Sequence, residues 1–514
     1  MAYVNNFERD LDYRNHLAHA YDTQANLTYR YGDDADAPLI TQPRKISDFI
    51  RHHREHQRPR LVTLNDYYEG RTFIVSRESR RRLESTKADH RASHDFASYI
   101  ADFTNGYVFG NTIQIAHVKD KALEAINDIH NLNDIDAHNR SLGLDLSVYG
   151  RAYEYVTKNE DDELRLYKSD ARSTFVIYDN NIEQHSIAAI RYWHVDTIDG
   201  VDGNQADNLY YVDVITDQAT YFYKTTESVN FELTERDRPE PHLFGYVPVT
   251  EYSNNENRQG DFEKVLTLID LYDAAQSDIA NYMTDINDAM LLIKGDVDLT
   301  DLDVIQAQKE ANIFHLVPPV YNSDGIDGAV KEGNVDASYI YKQYDVAGAE
   351  AYKNRLSENI HMLTHTPNLS DENFSGNQSG EAMKYKLFGL EQKSTIKESH
   401  FRKGLSRRYK LIEVMLKLHN QITADTTLKD LTYTFNRNLP RSRTEELNLF
   451  LQAGGTLSQQ TLLGMMSFID DPEQELKRIE DERQREQDNA PGAYPDTFNN
   501  PDSKEDTTNT DKRG

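Results

Sequence analysis

From residue 151 to about residue 252, apolar and polar positions alternate with a period of two. The segments AYEYV, LRLYKSD, TFVIYDN, AIRYWHV, YYVDVIT and YFYKT are short, aromatic and β-branched, and turn clusters such as Asp179-Asn180-Asn181 and Asp202-Gly203-Asn204 separate them. This pattern predicts antiparallel hairpins. The preceding block differs. It opens on a polar stretch with RHHREHQRPR at 51–60, continues in short helices closed by Gly106 and Gly110, and ends in helical patterns over 121–132 and 137–149. The two blocks together predict an α+β N-terminal region in a mainly helical chain.

Downstream the period becomes helical. Between 261 and 294, Val265, Leu268, Tyr272, Ala275, Ile279, Met283, Ile286, Met290 and Ile293 recur at spacings of three and four. They predict one amphipathic helix of roughly 50 Å at about 1.5 Å per residue. A mixed segment over 296–346 reads as a small inserted subdomain. A second helix carries Ala349, Tyr352, Leu356, Ile360 and Leu363 on one face and stops before Pro367. A third is predicted over 379–421, with an apolar stripe of Met383, Leu387 and Leu390, then Phe401, Leu405, Tyr409, Ile412 and Leu416. The stripe weakens between 391 and 400, and Gly389 and Gly404 flank the gap, which predicts a bend. Past Pro440, short helices are expected at about 442–453, 458–467 and 472–487. The Asp-, Asn-, Pro- and Thr-rich stretch 488–514 is expected to be disordered.

With 514 residues the chain exceeds what one hydrophobic core organises, so several domains are expected. It contains no cysteine, which excludes a disulfide framework, thiolate metal sites and a cysteine nucleophile. The opening MAYVNNFERDLDYRNHLAHA carries early acidic residues and no apolar h-region, so no secretory signal is expected there. No uninterrupted apolar run approaches the ~18 residues of a spanning helix. With 86 acidic against 57 basic residues the formal net charge is -29, which argues against a protein that coats nucleic acid.

Familiar catalytic patterns are missing. There is no G-x-x-x-x-G-K-[ST] loop for a nucleotide phosphate. GDVDLTDLDV at 295–304 has the acids of a calcium loop, but Asp301 stands where its glycine is needed and Ala307 where its final glutamate would be. Ser394-Thr395-Ile396-Lys397 matches S-x-x-K without a K-T-G, and reads as an exposed helix turn. His52, His53 and His56 lack an HExxH pattern, and the neighbouring arginines repel a cation, so this stretch reads as a solvated basic face. No metal and no cofactor is expected.

The charge distribution along the helices is uneven. The 261–294 segment has seven acids and two lysines, whereas 379–421 has ten basic against four acidic residues, a net of +6 in an acidic chain. That basic helix either pairs with acidic neighbours, such as the 261–294 helix or an adjacent subunit, or makes loose contact with phosphates. Before it, NLSDENFSGNQSG supplies turn formers at Asn368, Asp371, Asn373, Gly376, Asn377 and Gly380, with Phe374 the single large apolar residue.

At this point the chain resembles the SPP1-type portal proteins of tailed bacteriophages, siphophages of Gram-positive hosts, over roughly residues 10–480. The resemblance is carried by RPRLVTLNDYYEG, HNRSLGLDLSVYGRAYEYV, LYKSDARSTFVIYDN, DLYDAAQSDIANYMTDINDAMLLIKG and the stretch through GNQSGEAMKYKLFGLEQK. It implies an α+β, mainly helical portal fold assembled as a ring, dodecameric in the capsid. The wing would span 1–260, the stem helices 261–295 and 347–365, and the clip 296–346. The tunnel loop would span 366–378, the long bent helix and its return to the wing 379–440, and the crown 441–487, followed by the acidic tail.

The resemblance implies that Asn368, Asp371, Glu372, Asn373, Phe374 and Asn377 of the loop face DNA. An acidic channel face on the stem is expected from Asp270, Asp273, Asp278, Asp285 and Asp288, so that DNA does not adhere. The basic helix contributes Lys384, Lys386, Lys393, Lys397, Arg402, Lys403, Arg407 and Arg408. The implied partners are other copies of the chain, double-stranded DNA contacted without sequence reading, the terminase large subunit, a head-completion or adaptor protein, the scaffold and the major capsid protein. No membrane is involved. The implied place is the capsid vertex of the virion, after assembly in the bacterial cytoplasm, and no catalysis is expected. Two other classes compete: an enzyme acting on nucleic acid or nucleotides, betrayed by metal-dependent DNA cleavage, and an acidic helical scaffold that binds proteins and never meets DNA, betrayed by the absence of an open ring.

Overall fold

The 51–60 stretch shows first how tertiary packing reorganises a polar sequence. Helix α1 (Pro43–His52) passes through a π turn, His53–Gln57, into α2 (Arg58–Tyr68). Pro59 has no N–H to return to the preceding turn, which is where a helix widens. The stretch is not a solvated basic face: His53, Gln57 and Arg60 are buried, His53 Nδ1 meets Tyr192 Oη at 2.8 Å, and Arg60 pairs with Glu263 at 2.6 Å.

The computed structural model describes residues 16–20, 22–32, 38–77, 80–82, 87–195, 209–226, 231–285, 290–294, 320–322, 330–332, 336–340, 345–369, 385–438, 448, 450–452, 458–464, 466, 469 and 472–488. Two units separate, Met1–Asn438 and Leu439–Gly514. In the first, β1 (Tyr29–Arg30), α1 and α2 precede α3 (Phe73–Ser76), α4 (Phe96–Phe109), β2 (Gln114–Ala116), α5 (Asp120–Asn133) and α6 (Ile135–Tyr149). The alternating segments then form β3 (Arg151–Lys158), β4 (Leu164–Ser169), β5 (Thr174–Tyr178), β6 (Ser186–His194), β7 (Leu209–Ile215) and β8 (Ala219–Thr226), followed by β9 (Thr234–Glu235), β10 (Glu240–Pro241) and β11 (Val249–Ser253).

Hairpin succession sets the topology. One sheet runs β1-β5-β6-β7-β8-β10 with β9 beside β8, and a second runs β11-β3-β4. Apart from the parallel β1–β5 edge, these pairs are antiparallel, as two-residue alternation and short turns dictate. One face of the larger sheet buries Phe175, Ile177, Ile190, Val212 and Val214 against Ile46 and Ile50 of α1. The main core gathers Leu61, Leu64 and Tyr67 of α2, Ala97, Ile100 and Ala101 of α4, and Val148, Tyr153, Val265 and Ile269 around α6. Gly150 turns the chain from α6 into β3 at φ +79°, and a Cβ there would lie 2.1 Å from the Arg258 carbonyl oxygen, so no side chain fits.

The expectation of one unbroken helix over 261–294 is corrected. The 261–294 pattern divides into a short 3₁₀ turn, Glu263–Val265, then α7 (Leu266–Asp285), and a strand β12 (Met290–Lys294). The apolar run AMLLI suits either period, and pairing with β15 (Asp336–Ile340), Met290 opposite Ile340 through Lys294 opposite Asp336, decides for strand. Between them lie β13 (Val320–Asn322) and β14 (Val330–Glu332); the calcium-like loop lies outside the described residues. Helix α8 (Val346–Thr364) follows expectation. Helix α9 (Phe388–Leu418) is the third long helix and runs unbroken past Gly389 and Gly404, while 379–384 lie outside the described residues.

Its glycines serve close packing. A Cβ on Gly404 would lie 2.2 Å from the ring of Tyr252 in β11, and one on Gly389 would lie 2.9 Å from His365. Gly404→Ala is therefore expected to cost about 1–3 kcal/mol by overpacking, read as a lower urea midpoint at unchanged slope. The strand β16 (Thr432–Thr434) then pairs with β2. In the second unit, α10 (Gln459–Gly464) and α11 (Pro472–Asp488) are described, with Pro472 at the first position of α11.

Candidate functional site

The polar stripe of α7 turns inward. Asp273, Ser277 and Asn281 recur every four residues, about 6 Å along the helix axis, close to the ~6.6 Å of two extended residues. They accept from the backbone N–H groups of His94, Ala92 and His90 at 3.0, 2.9 and 2.8 Å. Asp273 also accepts from Thr72 Oγ1 at 2.7 Å, and Asp270 accepts from Tyr67 Oη at 2.6 Å. Both carboxylates are buried within the subunit, Asp273 completely. Of the other acids expected on a channel face, Asp278 is exposed and paired with Arg81 at 2.9 Å, Asp285 closes α7, and Asp288 lies outside the described residues.

Several cations of the basic helix are likewise spent on its own fold. Asp261 is fully buried, and Lys397 Nζ reaches its Oδ2 at 2.6 Å and Ser147 Oγ at 2.7 Å. Lys393 lies 3.2 Å from the same carboxylate and donates to the Thr364 carbonyl, the last of α8, at 3.2 Å. Burial alone would raise the Asp261 carboxyl; Lys393 and Lys397 overcome it and hold the group well below the usual carboxylate range. Arg408 is fully buried on Glu154 at 2.7 Å and donates to Asn139 Oδ1 at 2.9 Å. Glu154 also accepts from Tyr252 Oη at 2.9 Å and meets His138 Nε2 at 2.7 Å.

Arg402 bonds Glu398 and lies over Phe435; Arg407 donates to Ser186 and the Val247 carbonyl. Lys386 and Lys403 are exposed, and Lys384 lies outside the described residues. Thus the weak stretch of the apolar stripe on α9 is filled by Ser394 and Lys397, both buried; the S-x-x-K is not an exposed turn. Pairing with acidic neighbours accounts for Lys393, Lys397 and Arg408.

The segment entering the loop is anchored. His365 caps α8 at φ +58°, the buried Thr366 donates its N–H to the His361 carbonyl at 3.1 Å, and Tyr99 Oη donates to the Pro367 carbonyl at 2.7 Å. Asn368 is part-exposed and Leu369 exposed. Asp371, Glu372, Asn373, Phe374 and Asn377 lie outside the described residues. Sequence reading missed Glu154, Asn254 and Ser147, which complete these clusters.

The family model described as phage portal protein, SPP1 Gp6-like, matches residues 47–489. The chain belongs to this family. It is similar to the portal protein of Bacillus phage SPP1, 24% identical over 433 residues and covering 81% of each chain. It is equally similar to the portal protein of Clostridium phage phiCD119, 24% identical over 444 residues, 83% of this chain and 93% of that one. The portal-family match spans both buried ion clusters and the anchored entry to the loop. Among the described residues no helix is long and apolar enough to cross a membrane, and no three His, Asp or Glu side chains gather as a metal site.

Proposed function

We propose that this portal-family protein is a structural subunit of the phage head, forming the ring through which genomic DNA is packaged and ejected at one capsid vertex. The observation that carries this reading is the family match over 47–489, with two curated relatives each named portal protein. The inward-turned charges agree with it, because a conduit must not hold the duplex tightly, and buried cations release no counterions from phosphates.

In this reading the ring is dodecameric in the capsid, the α7–α8 pair forms the stem, and 296–346 the clip. The 366–378 loop meets DNA backbone at the axis without reading bases. The terminase large subunit and head-completion proteins dock on the ring, the scaffold and major capsid protein surround it, and the chain itself catalyses nothing. The anchored entry at Thr366 and Pro367 supports this role, since a loop that meets moving DNA needs a fixed root.

The test is electron microscopy of purified protein with native mass, followed by packaging with residues 368–378 shortened. The expected result is a ring of several copies with an open axis, retained in the shortened variant, which loses packaged DNA. A stable monomer or a closed axis in every state contradicts the conduit. Normal packaging by the shortened ring contradicts the loop's role.

A further inference from the structure

Helix α7 has two unlike sides. At about 100° per residue, Thr267, Asp270, Leu271 and Ala274 cluster on one side, while Gln276 lies roughly opposite. Gln276 accepts from Lys353 Nζ of α8 at 2.6 Å, so α8 lies on that opposite side. On the first side, Leu271 and Ala274 with Phe73 and Ile74 of α3 line a half-open, mostly apolar groove of about 410 Å³.

Helix α8 repeats the asymmetry. Lys353, Leu356, Ile360 and Thr364 are buried. Nine residues beyond Lys353, and so about half a turn round the helix, Met362 points away from α7. It is 64% exposed, its neighbour Leu363 is 54% exposed, and Tyr352, about 15 Å earlier along the helix, is 45% exposed. The two helices thus form a wall with an apolar groove on one side and an apolar ridge on the other. Exposed apolar surface of this kind on a soluble chain marks a contact to be covered.

We propose that the α8 ridge of one copy, centred on Met362 and Leu363, seats in the α3–α7 groove of the next copy, giving a head-to-tail contact. A ridge and groove on opposite sides of one wall cannot satisfy each other within a subunit, and a heterologous contact that repeats by rotation closes into a ring. The charges at the rims allow it. Arg77 lies over Phe73 in the groove lining and Arg81 and Asp278 stand paired beside it, while the exposed Arg355 and Glu358 stand beside Met362, so each rim brings at least one acid and one base to the other. This contact rests on the portal reading for the ring itself.

The chain has no cysteine, which makes cross-linking clean. Met362→Cys with Leu271→Cys in one chain, treated with a short bismaleimide at assembly concentration, is expected to give a ladder of covalent multimers. Each single variant alone should give none, and the two mixed should give dimers only. Met362→Glu with Leu271→Glu should abolish rings while circular dichroism stays unchanged. Rings seen by microscopy without a ladder, also with Leu363→Cys or Ala274→Cys in place of either site, would overturn the contact and leave the portal reading standing. Cross-linking of Met362→Cys to itself would also overturn it, by showing a ridge-to-ridge contact. A chain that stays monomeric under all conditions would overturn both.

Discussion

Arg408→Met is expected to lower the unfolding free energy of the subunit by about 3–5 kcal/mol, the cost of stranding one member of a buried ion pair. Arg408 and Glu154 have no exposed side-chain surface and meet at 2.7 Å. They join four elements, because Glu154 lies on β3, Arg408 on α9, His138 on α6 and Tyr252 on β11. Without the guanidinium, the carboxylate keeps only Tyr252 and His138 in a site closed to water. Glu154→Leu combined with Arg408→Met should recover much of the loss, since neither charge then needs to be desolvated. Urea unfolding of the three variants decides: a single-variant loss under about 1 kcal/mol, the range of exposed pairs, would mean that the site is wet.

The same pair predicts a response to acid. Burial alone would raise the Glu154 carboxyl, but Arg408 and then His138 hold it down at about 2. Its contribution is therefore complete above the unfolded value of about 4.3 and lost as pH falls from there towards 2. Asp145 and Asp213, raised by burial to about 6, act in the opposite sense and favour the fold as pH falls through that value. Comparing Glu154→Gln with the parent cancels these two. The parent should lose stability more steeply than the variant below about pH 4.3.

How far the sequence disclosed this molecule depended on whether a signal was local. The hairpins from β3 to β8 were legible because alternation and turn residues are set by neighbours two to four positions away. Helix α8 was legible for the same reason. The fate of Met290–Lys294 was not, since a five-residue apolar run fits both periods and its partner strand lies more than forty residues on. Ion clusters were the hardest to read. Glu154 carries one faint signal, sitting with Ala152 and Val156 on a single parity of β3, where a lone acid among apolar residues needs a buried cation. Lys397 left a gap in the stripe of α9, and a gap in periodicity reads equally as a bend or as a buried polar contact. Gly404 looked like a hinge because its reason, the ring of Tyr252, is about 150 residues away.

Lys397→Met is the change that separates architecture from DNA contact in the basic helix. Lys397 joins α9 to the fully buried Asp261 and to Ser147 of α6, and Lys393 carries the link on to the end of α8, at the root of the loop. Losing the ammonium leaves Asp261 with Asn254 at 3.0 Å and the part-exposed Lys393, so a cost of about 3–5 kcal/mol is expected, again partly recovered with Asp261→Leu. Because Lys397 is buried, the variant that still assembles should retain DNA with the parent's salt dependence. Lys386→Glu with Lys403→Glu, on exposed positions, should be nearly silent in urea, and if either residue meets a phosphate it should reduce the slope of log affinity against log salt by about 0.9 for each phosphate no longer neutralised. Measuring filter retention of duplex DNA on assembled rings across a salt series gives both numbers together. A changed slope in Lys397→Met rings would mean that assembly opens the cluster and turns this charge to the channel. An unchanged slope, with the stability loss, would mean that the +6 of the helix is mostly the internal counterpart of the acids around it.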